Sequence, residues 1–222
     1  MSEPIGPPIK DIVLLGAGGH AKVVMEIFRA AGEKVAFCVV NSGGEAETLL
    51  GVPVLIGEKE QLIRLRQEGY SKAHVAIGPN SVRKKLCELV TNFGFSLTSA
   101  IHPSAIISPT VTIGPGTAIM AGAIINASSV IGKGVIINAG ATIDHDCSIG
   151  DYVHIAPQCG LAGVVMVGSL AFLGIGTKVI PKTTIGQNTT TGAGAIVVCD
   201  LPENGLALGV PARIIKTTKG NP

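Results

Sequence analysis

Residues 113–154 read, in blocks of six, IGPGTA, IMAGAI, INASSV, IGKGVI, INAGAT, IDHDCS and IGDYVH. An isoleucine opens every block, at Ile113, Ile119, Ile125, Ile131, Ile137, Ile143 and Ile149. The spacing runs outward to Ile101 and Ile107 on one side. On the other it runs through Ile155, Leu161, Val167, Leu173, Val179 and Ile185 to Val197, and only Thr191 breaks the aliphatic class. Two residues before each marker, from Ile107 onward, stands Ala, Ser, Thr, Cys or Val. Gly follows the marker at 114, 132, 150, 168, 174, 186 and 192.

An aliphatic period of six is the signature of a parallel β-helix built of hexapeptides. Three hexapeptides close one triangular coil, so residues eighteen apart stack at the strand-pairing distance, roughly 4.8 Å. The marker fills the prism. The small residue two before it also points inward, near a corner. Gly and Asn are expected at turns, where backbone angles leave the usual region. The run accommodates five coils and a little more, with no insertion that would send out a long loop.

The bulk composition agrees. Hydrophobic residues make up 46% of the 222, charged residues only 14% and aromatic residues 3%, which suits an aliphatic interior with little room for rings. The net charge is +2 with no basic run, which argues against a nucleic-acid partner. No apolar stretch is long enough to span a membrane. Met1–Lys10 lacks the pattern of a secretory leader. Five cysteines without a C-x-x-C pair read as free, reduced thiols of a cytoplasmic protein, Cys147 and Cys159 at the small inward position.

Residues 1–100 follow another grammar, and the prism with its tail takes 101–222. Asp11–Leu15 reads as a buried strand, Ala21–Ala31 as a helix and Val35–Val40 as a strand. Glu58–Glu68 reads as a helix, Ala73–Ile77 as a strand, and 81–92 as a helix capped by Ser81. This alternation predicts a small parallel, Rossmann-like α/β domain. Gly16-x-Gly18-x-x-Ala21, with Gly19 and His20 inside it, sits between strand and helix, where backbone N–H groups favour a phosphate. The acidic residue that a dinucleotide's ribose needs is absent, since the second strand runs into Asn41-Ser42-Gly43-Gly44. The phosphate of another nucleotide remains open, as does a tight turn with no ligand.

Of five histidines, His74 and His102 read as structural. His145 stands between Asp144 and Asp146, two residues past a marker, so it projects from a corner. A carboxylate at Asp146 would hold one ring nitrogen protonated and leave the other as a base. A solvated surface histidine is the plainer alternative. Gly163, eighteen on, lies one coil above His145, where a backbone N–H is approachable. Asn138 belongs to the neighbouring part of the coil. His154 is half a coil away and faces another side. Packing of three prisms would bring such groups together, so a homotrimer is expected.

A glycine-turn α/β domain, a hexapeptide prism and Gly209-Val210-Pro211-Ala212-Arg213 near the end together resemble the bacterial nucleotide-sugar N-acetyltransferases of bacillosamine and perosamine synthesis. The most specific stretch is residues 138–147, followed by Val153–Pro157. The resemblance implies a left-handed helix and acetyl-CoA as co-substrate, with no metal. It implies His145 as general base, Asp146 as its orienting acid and Asn138 near the amino sugar. His154 would lie near the acetyl group, with the Gly163 N–H on the thioester carbonyl. Pro211 and Arg213 would border the coenzyme, and Gly16–Ala21 would hold the nucleotide-sugar phosphates. Asn41 and Ser42 depart from the paired acids common in uridine-linked relatives, which leaves the nucleotide open. A sialic-acid O-acetyltransferase shares the layout and is the alternative. A zinc hydratase would need three converging histidines.

Overall fold

The computed structural model describes residues 11–42 and 47–217. Met1–Lys10 and the Gly43-Gly44 pair of the sequence reading lie outside these residues.

The N-terminal sheet is ordered β3-β4-β2-β1-β5-β6, from strands β1 (Ile12–Leu15), β2 (Val35–Val40), β3 (Thr48–Leu49), β4 (Val52–Ile56), β5 (Lys72–Val75) and β6 (Ser96–Leu97). All pairings are parallel except the β3–β4 hairpin. β1 is apolar at every position because both of its faces are covered. Ile12 and Leu14 pack with α1 (Gly19–Ala30). Val13 and Leu15 pack with α2 (Glu58–Gln67) and α3 (Asn80–Asn92). The hairpin and β6 were not anticipated: β3 and β6 are two-residue strands that carry no periodicity, and β4 contains Pro53, which reads against a strand. Ser81 is not the α3 cap: the helix begins at Asn80, with Pro79 at the cap position and no side-chain cap. Proline's fixed φ ends the preceding extended segment and starts the helix one residue early.

From Ala100 the chain winds as two-residue strands that recur every six residues. From Ala100 to Val197 the inter-coil pairings are parallel and in the eighteen-residue register, as in Ile137↔Ile155 and Ile143↔Leu161, and only the last coil shortens it to sixteen, at Thr191↔Ala207 and Ile185↔Leu201. Markers and small inward residues form one aliphatic core that runs up the axis. Thr191, the odd marker, keeps its hydroxyl on Thr177, so the buried polar group is satisfied.

The turn glycines need a correction. Positive φ falls three residues after each marker from Ile113 to Thr191, at Gly116, Gly122, Ser128, Gly134, Gly140, Asp146, Tyr152, Gln158 and onward to Gly194. The glycines directly after markers have ordinary φ and answer to stacking instead. A Cβ on Gly168 would lie 2.5 Å from the Gln187 nitrogen, and one on Gly150 2.6 Å from the Ser169 nitrogen.

The prism meets the α/β domain along one face. Ala100, Ala118 and Ile136, stacked eighteen apart, are buried against α1. His154, Phe172 and Thr190 continue the same column beyond the helix.

Two substitutions separate the two turn positions. Gly168→Ala forces a Cβ into the next coil's backbone and is expected to cost about 1–3 kcal/mol. Gln158→Asn, at φ 58° on an exposed turn, places there a residue that tolerates this conformation better and is expected to cost nothing or to stabilise. Thermal unfolding at fixed protein concentration checks both.

Candidate functional site

His145 lies in the turn after the Thr142–Ile143 strand. The two flanking acids do different work. Asp144 Oδ1 accepts the His145 backbone N–H at 2.8 Å and the Asn126 amide at 3.0 Å, from one coil below. These bonds hold its carboxyl below the usual range. Asp146, with φ 57°, turns Oδ2 to His145 Nδ1 at 2.7 Å. A carboxylate can only accept, so Nδ1 carries the proton and Nε2 keeps its lone pair. The Asp146 bond, reinforced by the Asp144 charge, raises the His145 pKa above its ordinary 6.5. The ring lies over Gly163, where a Cβ would come within 2.7 Å of Cε1 and Nε2. Glycine there is a requirement of the histidine's position.

A second group of residues forms where the domains meet. The sheet order reverses between β1 and β5, and the crevice at such a point is where α/β folds bind ligands. A Cβ on Gly16, which has φ 112°, would lie 2.9 Å from the Ala76 carbonyl oxygen, so the turn packs directly against the backbone that follows β5. A Cβ on Gly18 or Gly19 would meet nothing within 4 Å, so this side of the turn is open. α1 has no side-chain cap, and its first N–H groups are available to an anion.

His20 lines a cavity of about 360 Å³ with Glu26, His102, Met120 and Asn138. Its Nε2 is buried with no partner among the described residues. Asn138 sits 3.3 Å from His154 Nε2. His154 stacks edge-on against Phe172 and faces a cleft of about 410 Å³ lined by Gly78, Asn80, Ser81, Asn188 and Thr190. Burial, helped by the nearby Arg83 charge, pushes His20 and His154 down to about 4.

The sequence candidates thus fall into two groups. His145, Asp146 and Gly163 share one prism corner. Gly16–His20, Asn138 and His154 share the domain junction, on the sheet that carries Phe172 and Thr190. Pro211 and Arg213 lie at the far end of that sheet, in the hairpin of Gly205–Leu208 with Arg213–Thr217. His74 is core, its Nδ1 on the Thr98 carbonyl at 2.8 Å. His102 is held by Ser104 yet lines the His20 cavity. Asn126 and Arg83 were not singled out. Asn126 was detectable, standing eighteen before Asp144, whereas a helical arginine reads as surface by default. Among the described residues no group of three or more metal-ligating side chains forms, and no helix is long and apolar enough to cross a membrane.

Known proteins share this arrangement. Residues 11–90 match the PglD N-terminal domain, and residues 128–163 the bacterial transferase hexapeptide family. A crystal structure of a His-to-Asn variant of perosamine N-acetyltransferase from Caulobacter crescentus, in complex with CoA and GDP-perosamine, is 51% identical. It covers 96% of this chain and 98% of that one, with a TM-score of 0.90. The acetyltransferase domain of PglB from Neisseria gonorrhoeae, in complex with acetyl coenzyme A, is 37% identical over 92% of this chain and 98% of that one, with a TM-score of 0.86. The UDP-N-acetylbacillosamine N-acetyltransferase of Bacillus subtilis is 39% identical over 114 residues, which span 49% of this chain and half of that enzyme. The chain belongs to the bacterial acetyl-CoA-dependent sugar N-acetyltransferases, with a PglD-type α/β domain joined to a left-handed hexapeptide β-helix.

Proposed function

We propose that this protein transfers acetyl from acetyl-CoA to the amine of a nucleotide-linked 4-amino-4,6-dideoxy sugar, a GDP-perosamine-type substrate first among candidates, at a site shared between subunits of a homotrimer. The observation that carries this reading is His145, with Nδ1–H held by Asp146 and a free Nε2 above Gly163. The 51% identity to an enzyme crystallised with GDP-perosamine supports the nucleotide.

A sugar ammonium has no lone pair to attack with. Nε2 of His145 takes a proton from the amine, and the freed nitrogen attacks the thioester carbonyl. The oxyanion is stabilised by the Gly163 N–H, which makes no backbone hydrogen bond among the described residues. When the tetrahedral intermediate collapses, the C–S bond breaks, the proton on His145 leaves with the thiol, and the nitrogen gives its remaining extra proton to water, so that a neutral amide is left. In this reading the uncapped start of α1 holds the phosphates, Asn138 and His20 contact the sugar, and His154 borders the acetyl group.

Two features favour the shared site. His145 and Asp146 are more than half exposed in one chain, where water would weaken both base and oxyanion donor. Around that corner Val164, Met166, Ile180 and Val198 are exposed, an apolar rim that a neighbouring prism would cover.

Thiol release is tested with GDP-, UDP- and dTDP-linked 4-amino sugars and with free and CMP-linked sialic acids. Turnover with an amino sugar is expected, and turnover with sialic acids alone would move the reading to O-acetylation. A monomeric mass by light scattering would contradict the shared site. His145→Asn is expected to lower turnover by about 10²–10⁴ with acetyl-CoA binding retained. Because the His145 pKa is raised, kcat/KM is expected to fall as pH drops through a value above 6.5, and Asp146→Asn to move that limb to lower pH. Gly163→Ala, whose Cβ must displace the ring, is expected to cost about tenfold or more in turnover with an unchanged melting temperature.

A further inference from the structure

Arg83 is charged and only 1% exposed. Among the described residues no carboxylate pairs with it. Its guanidinium is instead bonded to neutral oxygens: Nε to the Gly134 carbonyl at 2.7 Å, Nη1 to Ile77 at 3.0 Å and Gly78 at 2.6 Å, and Nη2 to Tyr152 and to Asn80 Oδ1, both at 2.8 Å. Burying a cation without a counter-ion costs several kcal/mol, and satisfied donors only offset this. Such a group is a poor choice for stability alone. What it provides is direction, because a planar fork reaches several carbonyls at fixed angles.

The partners are informative. Gly134, Tyr152 and Leu170 are eighteen apart and form one turn column of the prism. Arg83 bonds the first two. Asn80 turns its own amide to the Leu170 carbonyl at 2.9 Å and the Ala171 carbonyl at 3.0 Å. Residues 77–80, the end of the loop between β5 and α3 with the first residue of the helix, are therefore fastened to three successive coils. The same loop forms one wall of the 410 Å³ cleft, and His154 and Phe172 form the other.

We propose that Arg83 is a positioning residue for the nucleotide-sugar half of the site: with Asn80 it fixes the loop 77–80 against the prism and so sets the width of the cleft that faces His154. The inference rests on the nucleotide-sugar substrate proposed above and adds to it that this cleft, which opens beside the β1–β5 crevice and ends at His154, takes part of that substrate.

The test compares full-length wild type, Arg83→Lys and Asn80→Ala. Lysine keeps the charge but is a point donor that cannot reach both domains. Asn80→Ala leaves the buried cation in place, so it remains informative if Arg83→Lys does not fold. Hydrogen exchange across residues 76–82 reads the fastening without substrate, and steady-state kinetics give KM for the GDP-linked amino sugar and for acetyl-CoA. Faster exchange is expected in both variants. KM for the nucleotide sugar is expected to rise about tenfold or more, with KM for acetyl-CoA within about twofold. Unchanged exchange, or equal shifts in both KM values, would overturn the proposal, as would a lower melting temperature with both KM values intact. If wild type acetylates no nucleotide-linked sugar, the functional reading fails, and the exchange data still decide whether Arg83 and Asn80 hold the loop.

Discussion

Everything in the prism depends on one constraint: successive coils must stack at strand-pairing distance over their whole perimeter, turns included. The turns are stitched as the strands are, with Val164 N–H on the His145 carbonyl and Tyr152 N–H on the Lys133 carbonyl. That stitching leaves no space for a Cβ at the seven glycines that directly follow markers, and it demands positive φ two residues later along the prism. It also lets a side chain be placed by arithmetic. Asn126 meets Asp144, and His145 meets Gly163, because each pair is one coil apart. A ring that needs a hydrogen-bonded orientation on one side and open backbone on the other obtains both from a rigid repeat, with no loop to order.

The prism was legible because its core is a column: every sixth residue had to be aliphatic, and a single Thr191 could deviate only by finding a hydroxyl partner. The corner site was legible for the same reason, as far as the pairing of His145 with Asp146 and its stacking on Gly163. The separate task of Asp144 was not, since either acid could have held the ring until the turn geometry placed one on the backbone. The glycines after the markers were assigned to turn conformation when packing governs them. Both causes select glycine, so composition cannot distinguish them. Short strands such as Thr48–Leu49 and Ser96–Leu97 are fixed by pairing rather than by pattern. Arg83 was invisible because nothing in a sequence marks which surface-type residue a second domain will cover.

The domain junction follows from the same stacking. Ala100, Ala118 and Ile136 give a flat apolar strip on which α1 can lie, and the column becomes His154 and Phe172 only where the helix has passed. The crevice at the β1–β5 reversal is thereby aimed along the prism face, which places an open helix start and a cleft wall beside the same column of residues.

The histidines divide along these surfaces, and the division bears on their chemistry. His20 and His154 lie at the junction, where desolvation comes first and the buried Arg83 second, and both are pushed down to about 4. At neutral pH they are uncharged, able to orient polar groups but too weakly basic to hold a proton from an ammonium. His145 stands in the opposite environment, exposed, bonded to one carboxylate and near another, and its pKa is raised. A base that must accept a proton and release it to a departing thiol works best near the operating pH. By that criterion the corner histidine is the one suited to proton transfer, and the junction histidines are suited to binding. The fold separates the two environments by placing one histidine among acids at a turn and the others beside a buried cation at a domain boundary.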